Sequence, residues 1–168
     1  MELYFLRHGL AGQHGDPKYK DDSLRPLTAE GKEKMHRAAQ GMQGLGLRFD
    51  SVLSSPYLRA RQTAEIAAEA CKIKIKEVHL TNNLLPPATV EQLLSEITAQ
   101  FPKSENILLV GHEPHLSEMI SSLLNCGRAL NIDFKKGALC WVTVQKNAGT
   151  LNWLLTSTQL GLIAKEKQ

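Results

Sequence analysis

Three strand-length apolar runs, each handing over to a helix-forming stretch, constrain this chain more than any other feature. Leu3 to Leu6, Ser51 to Leu53 and Asn106 to Val110 are too short for buried helices and lack the alternation of half-exposed strands. Strands buried on both faces need helices above and below them. The helices are there: Thr28 reads as an N-cap with Glu30 in the first turn, and the pattern Met35, Ala38, Ala39, Met42 runs on to glycines at 44 and 46. A second helical stretch runs from Tyr57 to Lys72 and a third from Val90 to Phe101, while Pro114 opens a fourth that Asn125 and Gly127 end. Glu77 to Leu80 is a further short strand, and the Lys–Ile alternation from Lys72 to Lys76 fits a half-exposed strand or loop.

The period changes near the end of the sequence. Leu139 to Val144 and Thr150 to Thr156, joined through Lys146-Asn147-Ala148-Gly149, read as a β-hairpin. Strands alternating with helices, then a hairpin, specify an α/β protein: a three-layer α/β/α sandwich with a mostly parallel central sheet and a C-terminal β-hairpin. At 168 residues, positions 1–168 fit one domain with a sizeable core.

Composition narrows the function classes. Lys plus Arg number 20 against 17 acidic residues, a formal charge of +3 without a polybasic tract, so nucleic acid is not expected as a partner. The three cysteines, Cys71, Cys126 and Cys140, are odd in number and widely spaced, which suits buried or half-buried thiols in a reducing cytoplasm. Met1-Glu2-Leu3-Tyr4 does not resemble a signal peptide, and no apolar run is long enough to span a bilayer. The expectation is a cytoplasmic protein with no membrane partner; the sequence does not speak to oligomeric state.

Two of the buried runs end in histidine. Arg7-His8-Gly9 follows the first, and Gly111-His112-Glu113-Pro114 follows Asn106 to Val110. In a parallel sheet both endings lie on the edge where such folds hold ligands, so the two imidazoles can meet. Ser54-Ser55-Pro56-Tyr57-Leu58-Arg59-Ala60-Arg61-Gln62-Thr63 starts on that edge and sets Arg59 in the first turn of a helix, a position suited to phosphate. Arg59 and Arg61 are spaced i, i+2 and cannot share a direction, so one of them belongs to the surface. The loop from Gly9 to Pro26 exceeds the usual βα connection and lies beside the candidate site.

Other patterns carry less. Gly9 to Gly15 lacks the dinucleotide spacing, and His112-Glu113-Pro114-His115 lacks the metalloprotease spacing, so neither a nucleotide cofactor nor a metal is expected. His14, His36, His79 and His115 read as surface or loop residues, with His115 nearest the site. Trp141 and Trp153 read as packing rather than a stacking platform. Lys135 and Lys136 before Gly137 read as a solvated turn, with contact to an acidic protein as the alternative.

Taken together, Arg7-His8-Gly9, Leu27-Thr28-Ala29-Glu30-Gly31, the Ser54–Thr63 block and the later Gly-His-x-Pro resemble the histidine phosphatase superfamily. That family is phosphoglycerate mutase-like in fold, and the similarity is greatest to phosphohistidine phosphatases of the SixA kind. The resemblance implies His8 as a nucleophile that becomes phosphorylated, with Arg7, Gly9, Arg59 and His112 holding the phosphoryl oxygens and no metal or other cofactor. A phosphorylated protein is then the expected substrate, in a phosphorelay or phosphotransfer system, and inorganic phosphate the product and an inhibitor. A small-molecule phosphatase or mutase-like enzyme and a non-catalytic phosphoprotein-binding module are the alternatives. Many members carry an acid that protonates the leaving oxygen. Here the region from Leu84 to Glu91 is apolar where an acid is expected, with Glu91 too far into the following helix, and Glu113 is either that proton donor or a carboxylate placed to cap a helix. Without the acid an alkoxide leaves poorly, whereas a protonated phosphoimidazole departs as a neutral ring, which favours phosphohistidine.

Overall fold

The computed structural model describes residues 1–128, 130–146 and 148–165. One six-stranded sheet runs through it, formed by β1 (Glu2–Arg7), β2 (Ser51–Ser54), β3 (Val78–Leu80), β4 (Asn106–Gly111), β5 (Leu139–Gln145) and β6 (Ala148–Leu155), in the order β3-β2-β4-β1-β5-β6. The first four strands are parallel; β5 runs antiparallel to β1 and β6 antiparallel to β5. Strand interiors are covered on both faces, as the continuous apolar runs require: Leu3, Tyr4, Phe5 and Leu6 are all buried.

Side-chain alternation along the strands divides the core in two. Leu3, Phe5, Ile107 and Leu109 point to one face, where α3 (Val90–Gln100) and α4 (His115–Leu123) bring Leu93, Ile97, Leu116 and Ile120. Tyr4, Leu6, Leu108 and Val110 point to the other, against Met35, Ala38 and Met42 of α1 (Ala29–Gly44) and the alanines of α2 (Leu58–Ala70). The three layers match the sequence expectation. Thr28 caps α1 through Gly31 N–H, and Thr89 and Gln92 form a capping box on α3.

Some boundaries differ. A fifth helix, α5 (Ser157–Lys165), follows β6 and packs on α1, where Gly41 lets the Leu160 carbonyl approach so closely that a Cβ would sit 2.0 Å from it. The expected four-residue hairpin turn is shorter, because Gln145 already pairs with Ala148 and Ala148-Gly149 belong to β6; Asn147 lies outside the described residues. The Lys72–Lys76 stretch is no strand: Lys72 takes a left-handed turn at φ 62° and a 3₁₀ turn covers Ile75–Glu77. Trp141 stacks on Tyr4 with Trp153 edge-on to it, as packing predicts. Cys140 is buried and Cys71 and Cys126 are half-buried, all three as free thiols. Among the described residues no helix is long and apolar enough to cross a membrane.

Candidate active site

The register of the two central strands builds the site. β1 and β4 are neighbours with Arg7 opposite Gly111, and the His8 N–H donates to the Gly111 carbonyl at 3.0 Å, so the chain leaves both strands at the same level. From there α1 departs over one face of the sheet and α4 covers the other. A crevice opens where the helices diverge, the position at which open α/β sheets bind ligands. The His8 and His112 rings stand in it, 5.1 Å apart between centroids and both buried.

Each imidazole is oriented by an oxygen. His8 Nδ1 is 2.7 Å from the Gly9 carbonyl, which can only accept, so the ring proton sits on Nδ1 and Nε2 keeps its lone pair. The Ser55 hydroxyl lies 2.7 Å from His112 Nε2 and accepts from the Tyr57 N–H at 3.3 Å, so its own proton can go to Nε2 and leave Nδ1–H as a free donor. Burial, then repulsion between the rings and from Arg59 and Arg7, pushes the His8 pKa down to about 3 despite the Gly9 hydrogen bond. His112 is likewise pushed down to about 3, by burial and then by Arg59. Both rings are neutral at neutral pH.

The cations around them are fixed from outside the crevice. Arg7 Nη1 donates to the Phe134 carbonyl at 2.6 Å. Arg59, at the start of α2, donates Nη1 to the Asp22 carbonyl at 2.8 Å and pairs Nη2 with the Asp22 carboxylate at 2.9 Å, while its guanidinium lies over the Tyr57 ring. Asp22 also takes Arg25, which is buried, and His14. Burial would raise the Asp22 carboxyl, but the His14 hydrogen bond and the two guanidiniums overcome it and hold the pKa at about 2. Among the described residues, the buried side-chain polar atoms without a protein partner are Arg7 Nε, Arg59 Nε, His112 Nδ1 and His115 Nε2. Three of these four belong to the site, and donors without acceptors are the chemistry an oxyanion satisfies.

The Ser54–Thr63 block now has a physical account. Ser55 orients His112, Arg59 binds Asp22, and the Gln62 amide oxygen accepts from the Leu27 N–H at 2.8 Å. Thr63, one turn beyond Arg59, accepts from the Gly9 N–H at 3.0 Å and donates to the Arg59 carbonyl at 2.7 Å. Arg61 is the surface member of its pair and meets Glu65.

Two expectations, those for Gly9 and His115, change at atomic detail. Gly9 has its N–H on Thr63 and its carbonyl on His8, so it orients the histidine rather than presenting a donor to phosphate. Glu113 accepts from the Ser117 N–H at 3.1 Å and the Ser117 hydroxyl at 2.6 Å, the helix-capping arrangement. His115 is not a surface residue: the first turn of α4 buries it. Asp22, Arg25, Ser55 and Thr63 were not singled out from the sequence. The long loop marks the region that holds Asp22 and Arg25 without distinguishing either residue, and nothing local sets Ser55 or Thr63 apart.

Residues 3–84 match the model of the histidine phosphatase superfamily (branch 1). An uncharacterized protein of Picosynechococcus sp. is 36% identical over 94% of this chain and 96% of its own length. Phosphohistidine phosphatase SixA of Escherichia coli K12 is 26% identical, with 95% of this chain and 96% of SixA covered. The chain belongs to the histidine phosphatase superfamily. Among solved structures, the protein histidine phosphatase SixA complexed with tungstate superposes with a TM-score of 0.82 at 26% identity, covering 95% of this chain and 99% of that one. The alpha-ribazole phosphatase of Shigella flexneri shares the fold, with a TM-score of 0.73 at 20% identity over 94% of this chain and 97% of its own. This histidine phosphatase is therefore SixA-like in sequence and in architecture.

Proposed function

We propose that this phosphatase hydrolyses phosphohistidine on a protein, through a covalent phosphohistidine intermediate on His8. The observation that carries the reading is the buried pair of neutral imidazoles between two arginines, with the His8 proton held on the far nitrogen. His8 Nε2 attacks phosphorus without first losing a proton, and the P–N bond to the substrate imidazole breaks as the new one forms. The phosphorylated His8 ring is cationic, and its Nδ1–H bond to the Gly9 carbonyl strengthens as that charge appears. Arg7, Arg59 and His112 stabilise the phosphoryl oxygens in the transition state. Water then attacks the phosphoenzyme, inorganic phosphate leaves, and His8 returns to its neutral tautomer.

The substrate class follows from the leaving group. Glu113 is engaged by Ser117, and the stretch from Leu84 to Val90 offers no carboxylate. An imidazole protonated on its other nitrogen leaves without help, which an alkoxide does not. Residues 1–168 would act as one cytoplasmic, metal-independent domain, with a phosphoprotein of a phosphorelay or phosphotransfer system as substrate and phosphate as an inhibitory product.

The test is release of phosphate from a phosphohistidine-bearing domain and from phosphosugars, with and without EDTA, for the protein and its His8→Asn variant. Faster release from the domain, unaffected by EDTA, and acid-labile labelling that disappears in the variant are expected. Faster release from the sugars would replace this reading with a small-molecule phosphatase. No release from either would leave a phosphoprotein-binding module.

A further inference from the structure

Beside the phosphoryl site a cleft of about 480 Å³ shares Arg7 and Gly9 with it and runs toward α5. Its walls carry Lys34, Lys135 and Lys136 against a single carboxylate, Asp133. Two of these lysines are neutralised: Lys34 pairs with Glu30 at 2.6 Å and Lys135 with Asp133 at 2.9 Å. Lys136 is not. Among the described residues no carboxylate lies within 4 Å of its ammonium, and the charges that act on it are Arg7, Arg25 and Arg59, all repulsive. The side chain is exposed, and partial loss of hydration first, then that repulsion, lowers its pKa. The lining also includes Thr156, Ser157 and Thr158 at the start of α5, the end at which a helix dipole is positive.

An ammonium that lines the cleft with Arg7 and has no counter-charge of its own favours an anion in the space between them. The scissile phosphoryl group does not account for the cleft, because His8, Arg59 and His112 do not line it. We infer that the cleft bounded by Lys136 and the start of α5 is a second anion subsite, which takes a carboxylate carried by the substrate next to its phosphoryl group. Resting on the phosphohistidine reading, the source would be an Asp or Glu beside the modified histidine, so that the enzyme selects acidic phosphoprotein surfaces. The subsite itself needs only a carboxylate at the right distance.

Binding of phosphonates tests the subsite without any turnover. Calorimetry with propylphosphonate and with ω-phosphonocarboxylates of increasing length should show the carboxylate tightening binding about tenfold at one chain length, as a charge-assisted hydrogen bond allows. In Lys136→Gln that preference should fall toward one, and in Lys136→Arg it should largely return. Equal weakening of both ligand types in Lys136→Gln would place the lysine on the phosphoryl group and overturn the subsite, as would the absence of any carboxylate preference in the native protein. Phosphohistidine peptides with Glu or Gln beside the modified residue then identify the source, the Glu peptide being expected to have the lower KM only while Lys136 is present. If neither peptide is hydrolysed but the phosphonate preference stands, the subsite holds and the phosphohistidine reading falls.

Discussion

Acidification from pH 7 to pH 5 should cost this protein about 4 kcal/mol of folding stability through His8 and His112 alone. Each ring has an ordinary pKa near 6.5 in the unfolded chain and about 3 in the folded one, where burial comes first and the neighbouring cations second. Between those values the unfolded state holds a proton on each ring that the folded state refuses, so stability rises with pH across this window. The stabilisation is complete above the unfolded value and drains away as the pH falls toward 3. At pH 5 the chain stands about 1.5 pH units below the unfolded value, which amounts to about 2 kcal/mol per ring at roughly 1.36 kcal/mol per unit. That is a large part of the roughly 5–15 kcal/mol typical of a whole domain. Urea unfolding followed by circular dichroism at pH 7, 6 and 5, in phosphate-free buffer, measures it. His115 is lowered by burial in the same direction, so the informative quantity is the difference between the native protein and His8→Asn/His112→Asn. The double variant should lose about 4 kcal/mol less over the interval. Parallel pH curves for the two proteins, or a His8 resonance titrating near 6.5 by NMR, would refute the assignment of neutral, desolvated rings.

Two further substitutions probe the scaffold. A Cβ at Gly31 would lie 1.9 Å from the Leu10 carbonyl, next to the Gly9 group that orients His8, so Gly31→Ala should lower stability by about 1–3 kcal/mol and reduce turnover; calorimetric melting and phosphate release check both. Glu113→Ala should cost about 1 kcal/mol by removing the bonds to Ser117 while phosphohistidine hydrolysis stays within about twofold, and a hundredfold loss of kcat would restore Glu113 as proton donor.

The parts of this architecture that were legible in the sequence are those fixed by local period and strand ends. Leu3 to Leu6 and Asn106 to Val110 announce buried strands, and His8 and His112 follow them directly, so a parallel sheet suffices to bring the rings together. The residues that orient and clamp the pair were illegible because their partners are remote: Thr63 serves Gly9, Ser55 serves His112, and Asp22 serves Arg59 across 37 positions. Helix α5 escaped for a different reason. It is short, and only Leu160 among its described residues is buried, so it shows little apolar period; its one upstream trace is Gly41, a glycine inside α1 whose purpose appears only when Leu160 lies on it. Lys136 reads as part of a solvated turn and is exposed in the structure; what a basic turn does not carry is any sign of which charges it faces after folding.

Adjacent strands in any β-sheet lie about 4.8 Å apart. The two imidazoles, hung on neighbouring strands at one level, are 5.1 Å apart, so the sheet itself serves as the ruler that spaces them. Local breathing of the surrounding loops cannot alter that interval, because the amides of His8 and Ser55 are bonded to Gly111 and Val110 in the ladder at the heart of the molecule. Their hydrogen exchange should proceed only through global unfolding, and a protein built this way keeps its two rings in place for as long as it remains folded at all.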